Sequence, residues 1–144
     1  LFRSYLSNIH SVKSYFDANL DMLESQKFYS LFAPNQKVYT KVKNEEPTYY
    51  ADSSEVKVSQ FASGSIVRGK VENSVISRNV DLSEGSSVSH SILFPRVKVA
   101  KGATVEYAIV DKGVEIAEGV TIRGTENNPV VIKKGSVVTE DIVR

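Results

Sequence analysis

The fold is decided by three six-residue stretches: VDLSEG at Val80–Gly85, VKVAKG at Val97–Gly102 and VEIAEG at Val114–Gly119. Each stretch begins 17 residues after the one before it. Neither the period of a helix nor that of a single strand produces this spacing. Aliphatic residues between and around the stretches recur at intervals of 5, 6 and 6, at Val71, Ile76, Leu82, Val88, Leu93, Val99, Val105, Val110, Ile116 and Ile122. The pattern indicates a hexapeptide repeat that has lost one residue per turn.

This repeat predicts a mainly β fold, a triangular parallel β-helix. Each turn would contribute three short strands with one aliphatic side chain per strand pointing inward, and Gly, Asn, Asp or Ser would occupy the corners. Hexapeptide spacing is typical of the left-handed parallel β-helix, so the handedness is taken from that likeness. We expect about five turns. The last would carry Val130-x-Ile132-x-x-Gly135, one residue short of register, and the less regular first would use Val56, Val58, Phe61, Ile66 and Val67.

Charged residues follow the same step. Signs alternate in two columns, and opposite charges on neighbouring strands stabilise each other only weakly in solvent. We interpret both columns as solvated structural ladders: Asp81, Lys98 and Glu115 form one, and Glu84, Lys101 and Glu118 form the other.

The first third of the chain lacks the repeat. Apolar residues between Val12 and Leu23 recur at helical spacing and Ser11 suits an N-cap, which predicts an amphipathic helix at about 12–25. A second short helix is predicted around 28–32 and a strand at 37–42. An isolated amphipathic helix cannot bury its apolar face, so it must pack on the β-helix, on a partner or on another domain.

Composition excludes several classes of function. The chain has no Cys, which rules out disulfides, thiolate metal sites and a cysteine nucleophile, and its two His cannot supply a three-His metal centre. A net charge of +1 lacks the basic excess of a typical nucleic-acid binder. No apolar run is long enough to span a membrane and no signal peptide is visible, so a cytoplasmic location is expected. Because the chain opens at Leu1 without Met, we expect a fragment of a longer protein.

The segment from Ser11 to Asp21, SVKSYFDANLD, followed by the hexapeptides resembles the carboxyl-terminal part of the ADP-glucose pyrophosphorylase (glucose-1-phosphate adenylyltransferase) family. The likeness is nearest to its non-catalytic, regulatory GlgD-type subunits of glycogen biosynthesis. It is supported by PTYY at 47–50, FASGSIV at 61–67 and NSVISR at 73–78. It implies that residues 1–46 are the tail of a catalytic-like nucleotidyltransferase domain plus a linker, and that 47–144 form the left-handed β-helix domain.

The resemblance also implies an activity for the parent family, which makes ADP-glucose and pyrophosphate from ATP and glucose 1-phosphate. ATP and Mg²⁺ would belong to the missing catalytic domain, so we expect no cofactor, no metal and no catalytic residue in this fragment. Active members carry Asp-Val-Gly-Thr before the helix, with the Asp helping to hold the metal. Here the aligned residues are Asn8, Ile9, His10 and Ser11, which favours a regulatory subunit.

Regulated bacterial members of the family often carry Pro-x-Lys where the β-helix begins, with the Lys facing an anionic effector. This chain has Tyr49 in that place, after Pro47 and Thr48. Other basic residues are therefore the candidates for contact with a sugar phosphate: Lys37, Lys41, Lys43, Arg68, Arg78 and Arg96.

The resemblance predicts assembly with a catalytic homologous subunit into a homo- or hetero-oligomer, without nucleic acid or membrane. Phe94, Pro95 and Tyr107 are predicted as exposed interface residues, because aromatic residues are enriched at interfaces. Two alternatives stay open. One is a trimeric hexapeptide acyltransferase with His90 as general base. The other is a purely structural oligomerisation prism.

Overall fold

The computed structural model describes residues 11–21, 23 and 46–144. Within these ranges the chain forms one helix, α1 (Val12–Asp21), and seventeen short strands. The strands are β1 (Tyr49–Tyr50), β2 (Glu55–Lys57), β3 (Gln60–Phe61), β4 (Ile66–Val67), β5 (Lys70–Glu72), β6 (Val75–Ile76), β7 (Asp81–Leu82), β8 (Ser87–Ser89), β9 (Ile92–Leu93), β10 (Lys98–Val99), β11 (Thr104–Glu106), β12 (Ala108–Val110), β13 (Glu115–Ile116), β14 (Thr121–Arg123), β15 (Val130–Ile132), β16 (Val137–Val138) and β17 (Ile142–Val143).

The strands form three parallel sheets that share one axis. Sheet A has the order β1-β4-β7-β10-β13-β16, sheet B has β2-β5-β8-β11-β14-β17, and sheet C has β3-β6-β9-β12-β15. Every third strand therefore pairs with its equivalent in the next turn. The described chain makes five complete turns and adds two strands of a sixth, which confirms the predicted parallel β-helix and slightly exceeds the predicted number of turns.

The core is the column of aliphatic side chains along the axis. All ten residues of the predicted 5-6-6 series are buried in one cluster. Leu82, Val99 and Ile116 show how the column arises, because they pair in register on β7, β10 and β13 and are at most 2% exposed. Apolar burial of this kind is the dominant favourable term in folding.

Two turns depart from the 17-residue step. Lys70 pairs with Glu55 after only 15 residues (70−55), because the corner between Val67 and Val71 is two residues shorter than the later ones. Gly69 occupies this tight corner. A Cβ there would lie 2.3 Å from Ser86 Oγ and 2.5 Å from the Ser86 carbonyl oxygen, so a larger residue would not fit.

The other departure corrects a prediction. On sheet C, Val130 pairs with Ala108, which lies 22 residues earlier (130−108). On sheet A, the residue that pairs with Glu115 in the next turn is Val137. The VxIxxG motif at 130–135 therefore does not continue the series of Val114. The loop at 124–129 adds five residues and shifts the motif from one sheet to another.

The corners contain left-handed backbone, and not only at the Gly, Asn, Asp or Ser residues that were predicted to occupy them. Gly85, Gly102 and Gly119 have φ of 77°, 73° and 73°. At the corner between sheets B and C the equivalent residues have φ between 40° and 48°, and they are Val58, Asn73, His90 and Tyr107. Val58 was predicted to take part in the less regular first turn. It lies at this corner instead, 63% exposed.

Helix α1 begins as predicted. The Ser14 N–H donates to Ser11 Oγ at 3.1 Å, and the Ser11 N–H donates back to Ser14 Oγ at 2.9 Å, which is the reciprocal pattern of a capping box. The helix ends at Asp21, short of the predicted residue 25, although 22, 24 and 25 lie outside the described residues. The second helix and the strand predicted between 28 and 42 also lie outside them.

Candidate functional site

Helix α1 covers the outer face of sheet C. Phe16, 1% exposed, packs against Ile92 and Ile109, which point outward from β9 and β12. Leu20 and the partly buried Val75 extend this second cluster, which is separate from the axial core. The amphipathic helix was expected to pack on the β-helix, on a partner or on another domain. In the described structure it packs on the β-helix.

Two of the predicted interface residues take part in this docking. Phe94 meets Tyr15 edge to face, and Tyr107 meets Phe16, both with ring centroids 6.4 Å apart. Phe94 and Tyr107 are therefore partly buried under α1, not exposed as predicted, because sheet C needs an apolar rim to seat the helix. Pro95 is also half-buried and lines a surface groove with Arg78. A role of these residues in subunit contact stays a prediction.

His90 is held in place by its neighbours. Its ring stacks on Tyr107 with centroids 4.8 Å apart, and its Nε2 lies 3.4 Å from the Asn73 side-chain nitrogen. All three occupy the same corner on successive turns. His90 also lines the cleft between α1 and the β-helix, together with Lys13 and Glu126. These contacts are those of a structural residue at a corner of the β-helix. General-base catalysis by His90 stays a prediction.

Two side chains of α1 have shifted pKa values. The hydrogen bond to Asp17 raises the pKa of Lys13, and the negative charges of Asp17 and Glu126 add to this. Burial raises the pKa of the Tyr15 hydroxyl, with a smaller contribution from the charge of Asp111 and an opposing one from the Asn19 hydrogen bond. The Tyr15 shift reflects how closely α1 approaches the β-helix, whereas the Lys13 shift arises mainly within α1.

The basic effector candidates do not form one site. Arg78 and Arg96 lie on adjacent turns at the corner between sheets C and A, where the Arg96 N–H donates to the Arg78 carbonyl at 3.1 Å. Arg68 lies at the corner between sheets A and B, exposed to solvent. The remaining candidates lie outside the described residues, and they are Lys37, Lys41 and Lys43. So do three of the residues aligned with the metal-binding run, Asn8, Ile9 and His10.

The predicted charge columns exist as paired positions. Lys98 pairs in register with Asp81 on one side and Glu115 on the other. Sheet B carries two ion pairs that the sequence interpretation missed: Glu106 with Arg123 at 2.8 Å and Glu55 with Lys70 at 3.8 Å. The partners are 17 and 15 residues apart, and this spacing of one turn is the sequence signal that could have identified them. All four side chains are substantially exposed, so we assign them little stability.

A ladder of buried serines was also missed. Ser91 Oγ donates to the Ser89 carbonyl at 2.8 Å and accepts the Ala108 N–H at 3.2 Å. One turn earlier, Ser74 Oγ accepts the Ser91 N–H in the same way. The shared 17-residue step of Ser74 and Ser91 could have revealed this arrangement. These hydroxyls satisfy backbone groups at a corner that the sheets leave unpaired.

No three acidic or histidine side chains of residues 11–21, 23 and 46–144 come together as metal ligands would. In the same part of the chain, no helix has the length and apolar character needed to cross a membrane.

Comparison with known proteins gives relatives along most of the chain. The model of the GlmU-like, C-terminal hexapeptide family matches residues 41–143. Glycogen biosynthesis protein GlgD from Geobacillus stearothermophilus is 53% identical over 127 residues, which is 88% of this chain and 37% of the relative. GlgD from Bacillus subtilis is 38% identical over 139 residues, 96% of this chain and 40% of that protein.

Related enzymes match a shorter part. Glucose-1-phosphate adenylyltransferase from Bacillus mycoides is 33% identical over 87 residues, covering 60% of this chain and 23% of the enzyme. The chain thus spans about two fifths or less of the length of these relatives. It belongs to the GlmU-like C-terminal hexapeptide family and is a homologue of the glycogen biosynthesis protein GlgD.

Proposed function

We propose that this chain is the carboxyl-terminal part of a regulatory subunit in glycogen biosynthesis. The subunit assembles with a catalytic homologue and modulates the synthesis of ADP-glucose from ATP and glucose 1-phosphate. The observation that carries the proposal is the extent of the similarity to GlgD, which covers 96% of the chain for the Bacillus subtilis protein. The adenylyltransferases match 60%.

The docking of α1 supports a mechanical role. In this proposal residues 1–46 are the tail of a nucleotidyltransferase-like domain plus a linker, and α1 belongs to that tail. Phe16 is fully buried between Ile92 and Ile109, so α1 cannot move without exposing apolar surface. The β-helix is stiff because every turn is hydrogen-bonded to the next. A displacement of one domain would therefore reach the other through α1.

Chemistry and regulation divide between the two parts. ATP and Mg²⁺ bind the nucleotidyltransferase domain in this proposal, and the described β-helix supplies assembly surfaces and effector contacts. Arg68 and Arg96 are exposed and Arg78 is half-buried beside Arg96, so these three stay the described candidates for a sugar-phosphate effector. Subunit contact through Phe94, Pro95 or Tyr107 would have to use the part of each side chain that α1 leaves accessible.

Co-expression of the complete protein with the catalytic adenylyltransferase of the same organism tests this. We expect the two to co-purify, and we expect the complex to synthesise ADP-glucose at a rate or with an effector response different from those of the catalytic subunit alone. The complete protein by itself is expected to show no synthesis. Separate elution of the two proteins, together with unchanged kinetics on mixing, would remove the proposal.

A further inference from the structure

The outer face of sheet A carries bands of charge that change sign from turn to turn. A strand column points outward from β7, β10 and β13, and it consists of Asp81, Lys98 and Glu115. A corner column follows three residues later on each turn, and it consists of Glu84, Lys101 and Glu118. The two columns have the same sign on each turn. The face therefore presents two acids, then two lysines, then two acids, with about 4.8 Å between bands.

These six charges do not neutralise one another. None of them forms an ion pair with a described residue, although Lys98 lies in register between Asp81 and Glu115. Oδ1 of Asp81 is buried and has no hydrogen-bond partner in the described part of the chain. A buried acceptor without a donor is costly. The bands are therefore free to pair with charges from outside, and Asp81 lacks a donor that a partner would supply.

The rest of this face has the features of a contact surface. Ser83, Ala100 and Ala117 lie between the two columns, where they line a shallow groove of about 360 Å³. The strand column continues to an apolar residue at each end of sheet A. Tyr49 on β1 is 61% exposed and Val137 on β16 is 64% exposed. Exposed apolar side chains at both ends of one face, with small residues between them, indicate a surface that a partner covers.

A second copy of the chain complements the charge bands when it lies antiparallel. If the two-fold axis between two such faces ran along the β-helix, each band would meet itself and acids would face acids. If the axis instead crosses the β-helix, the bands of the second copy meet those of the first in reverse order. An axis between β7 and β10 places Asp81 opposite Lys98 of the second copy, and Glu84 opposite Lys101 of the second copy. Symmetry forms each of these pairs twice.

The ends of the face agree with this position of the axis. Tyr49 meets Val137 of the second copy, and the exposed Arg68 comes to lie beside the band of Glu115 and Glu118. The like charges Asp52 and Glu140 meet only at the exposed corner, where solvent and salt weaken their repulsion.

A two-fold axis one turn further along fits less well. An axis between β10 and β13 would pair Lys98 with Glu115 of the second copy. It would also set Glu84 against Glu140, and it would leave Tyr49 beyond the end of the second copy. The charge bands and the apolar ends together therefore select the axis between β7 and β10.

We propose that the outer face of sheet A binds the same face of a second copy of this chain, antiparallel, about a two-fold axis between β7 and β10. Sheets packed face to face lie about 10 Å apart, which Asp and Lys side chains from the two sides bridge together. The face is about 24 Å tall and about 15 Å wide, so the two copies cover roughly 700 Å² in total. This area is small for a specific interface, so the association is weak and sensitive to salt.

The test is sedimentation equilibrium of the complete protein and of two charge variants. Asp81→Lys places lysine against lysine at both symmetric contacts, and Lys98→Asp places acid against acid. Each variant alone should associate with itself at least about tenfold more weakly than the wild type, and should sediment at half the wild-type mass. The two variants mixed in equal amounts should regain the wild-type mass, because each lysine then faces an aspartate. The double variant Asp81→Lys, Lys98→Asp should regain it for the same reason.

Lys57→Asp is the matched control, because Lys57 is an exposed lysine on β2 of sheet B without an ion pair in the described chain, and its mass should stay that of the wild type. Thermal unfolding confirms that each variant is folded.

Three outcomes would overturn the proposal. A wild-type mass of one chain at every concentration would exclude self-association. Unchanged association of both single variants would place the contact on another face. Failure of the mixed variants to associate would exclude the axis between β7 and β10. All of these measurements use one protein by itself, without a catalytic homologue or ADP-glucose synthesis, so they stand or fail independently of the proposed function.

Discussion

The ring of His90 lies parallel to the ring of Tyr107, with an angle of 14° and 4.8 Å between centroids. That separation matches the spacing of neighbouring strands, because the two residues are equivalent corner positions one turn apart. Both have positive φ, at 47° and 48°. The contact therefore belongs to a structural column that holds a corner in left-handed backbone, a conformation that is costly for residues other than Gly and Asn.

Val58 begins this column and is its weakest member. A β-branched side chain at φ 40° is strained, and Val58 is 63% exposed, so no burial compensates for the strain. We expect Val58→Asn to stabilise the fold by about 1 kcal/mol, as measured by denaturant unfolding. Val56→Asn is the control, since Val56 lies on a strand, and should not stabilise. A stability gain in the control equal to that of Val58→Asn would contradict the backbone explanation.

Ser91→Ala should destabilise the β-helix by about 1–3 kcal/mol. The change leaves the Ala108 N–H, which is buried, without the hydroxyl that accepts it at 3.2 Å. Chemical unfolding measures the loss. Ser87→Ala is a matched control, because Ser87 lies on the outer face of sheet B and has no side-chain hydrogen bond within the described residues. Equal losses of stability from the two substitutions would mean that the buried serine hydrogen bonds add no stability of their own.

Phe16→Ala should release α1 while leaving the β-helix intact. Removing a buried Phe costs about 3–5 kcal/mol, and Phe16 is the only α1 residue in the described part that is fully buried. Amide hydrogen exchange should speed up across Val12–Asp21 but not in strands β7 to β14. Val12→Ala, at a position 49% exposed, serves as the control and should leave exchange unchanged. Faster exchange throughout both parts would show that α1 and the β-helix unfold together.

Docking of α1 should weaken at high pH. The folded-state pKa of Tyr15 is raised, chiefly by burial, so the folded protein holds this proton more tightly than the unfolded chain. The stabilisation is complete below the ordinary tyrosine pKa of about 10 and is lost as pH rises through the raised value. Tyr15→Phe keeps the ring against Phe94 and removes the ionisation, so its stability should fall less above pH 10. Parallel pH profiles for the two proteins would contradict this.

The site was less predictable than the fold. Arg78 and Arg96 were named as effector candidates because they are basic and the family resemblance left the usual Lys position to Tyr49. The sequence could not show that they share a corner with Lys112 and Lys134, since this requires knowing where each shortened or lengthened turn closes. Phe94 and Tyr107 were expected to be exposed because nothing in their own repeat indicates that a helix far upstream covers them. His90 was weighed as a base, whereas its contacts arise from the stacking of turns.

The linear order of residues determined the axial column by itself. Leu82, Val99 and Ile116 recur once per turn, and a tandem repeat brings equal positions together whatever else surrounds it. Ile92 and Ile109 obey the same step, yet they point away from the axis and are buried only because α1 lies over them. Periodicity shows which residues occupy equivalent positions on successive turns. Contacts between distant segments decide whether those side chains face the axis or the outside of the β-helix, and which part of the chain covers them.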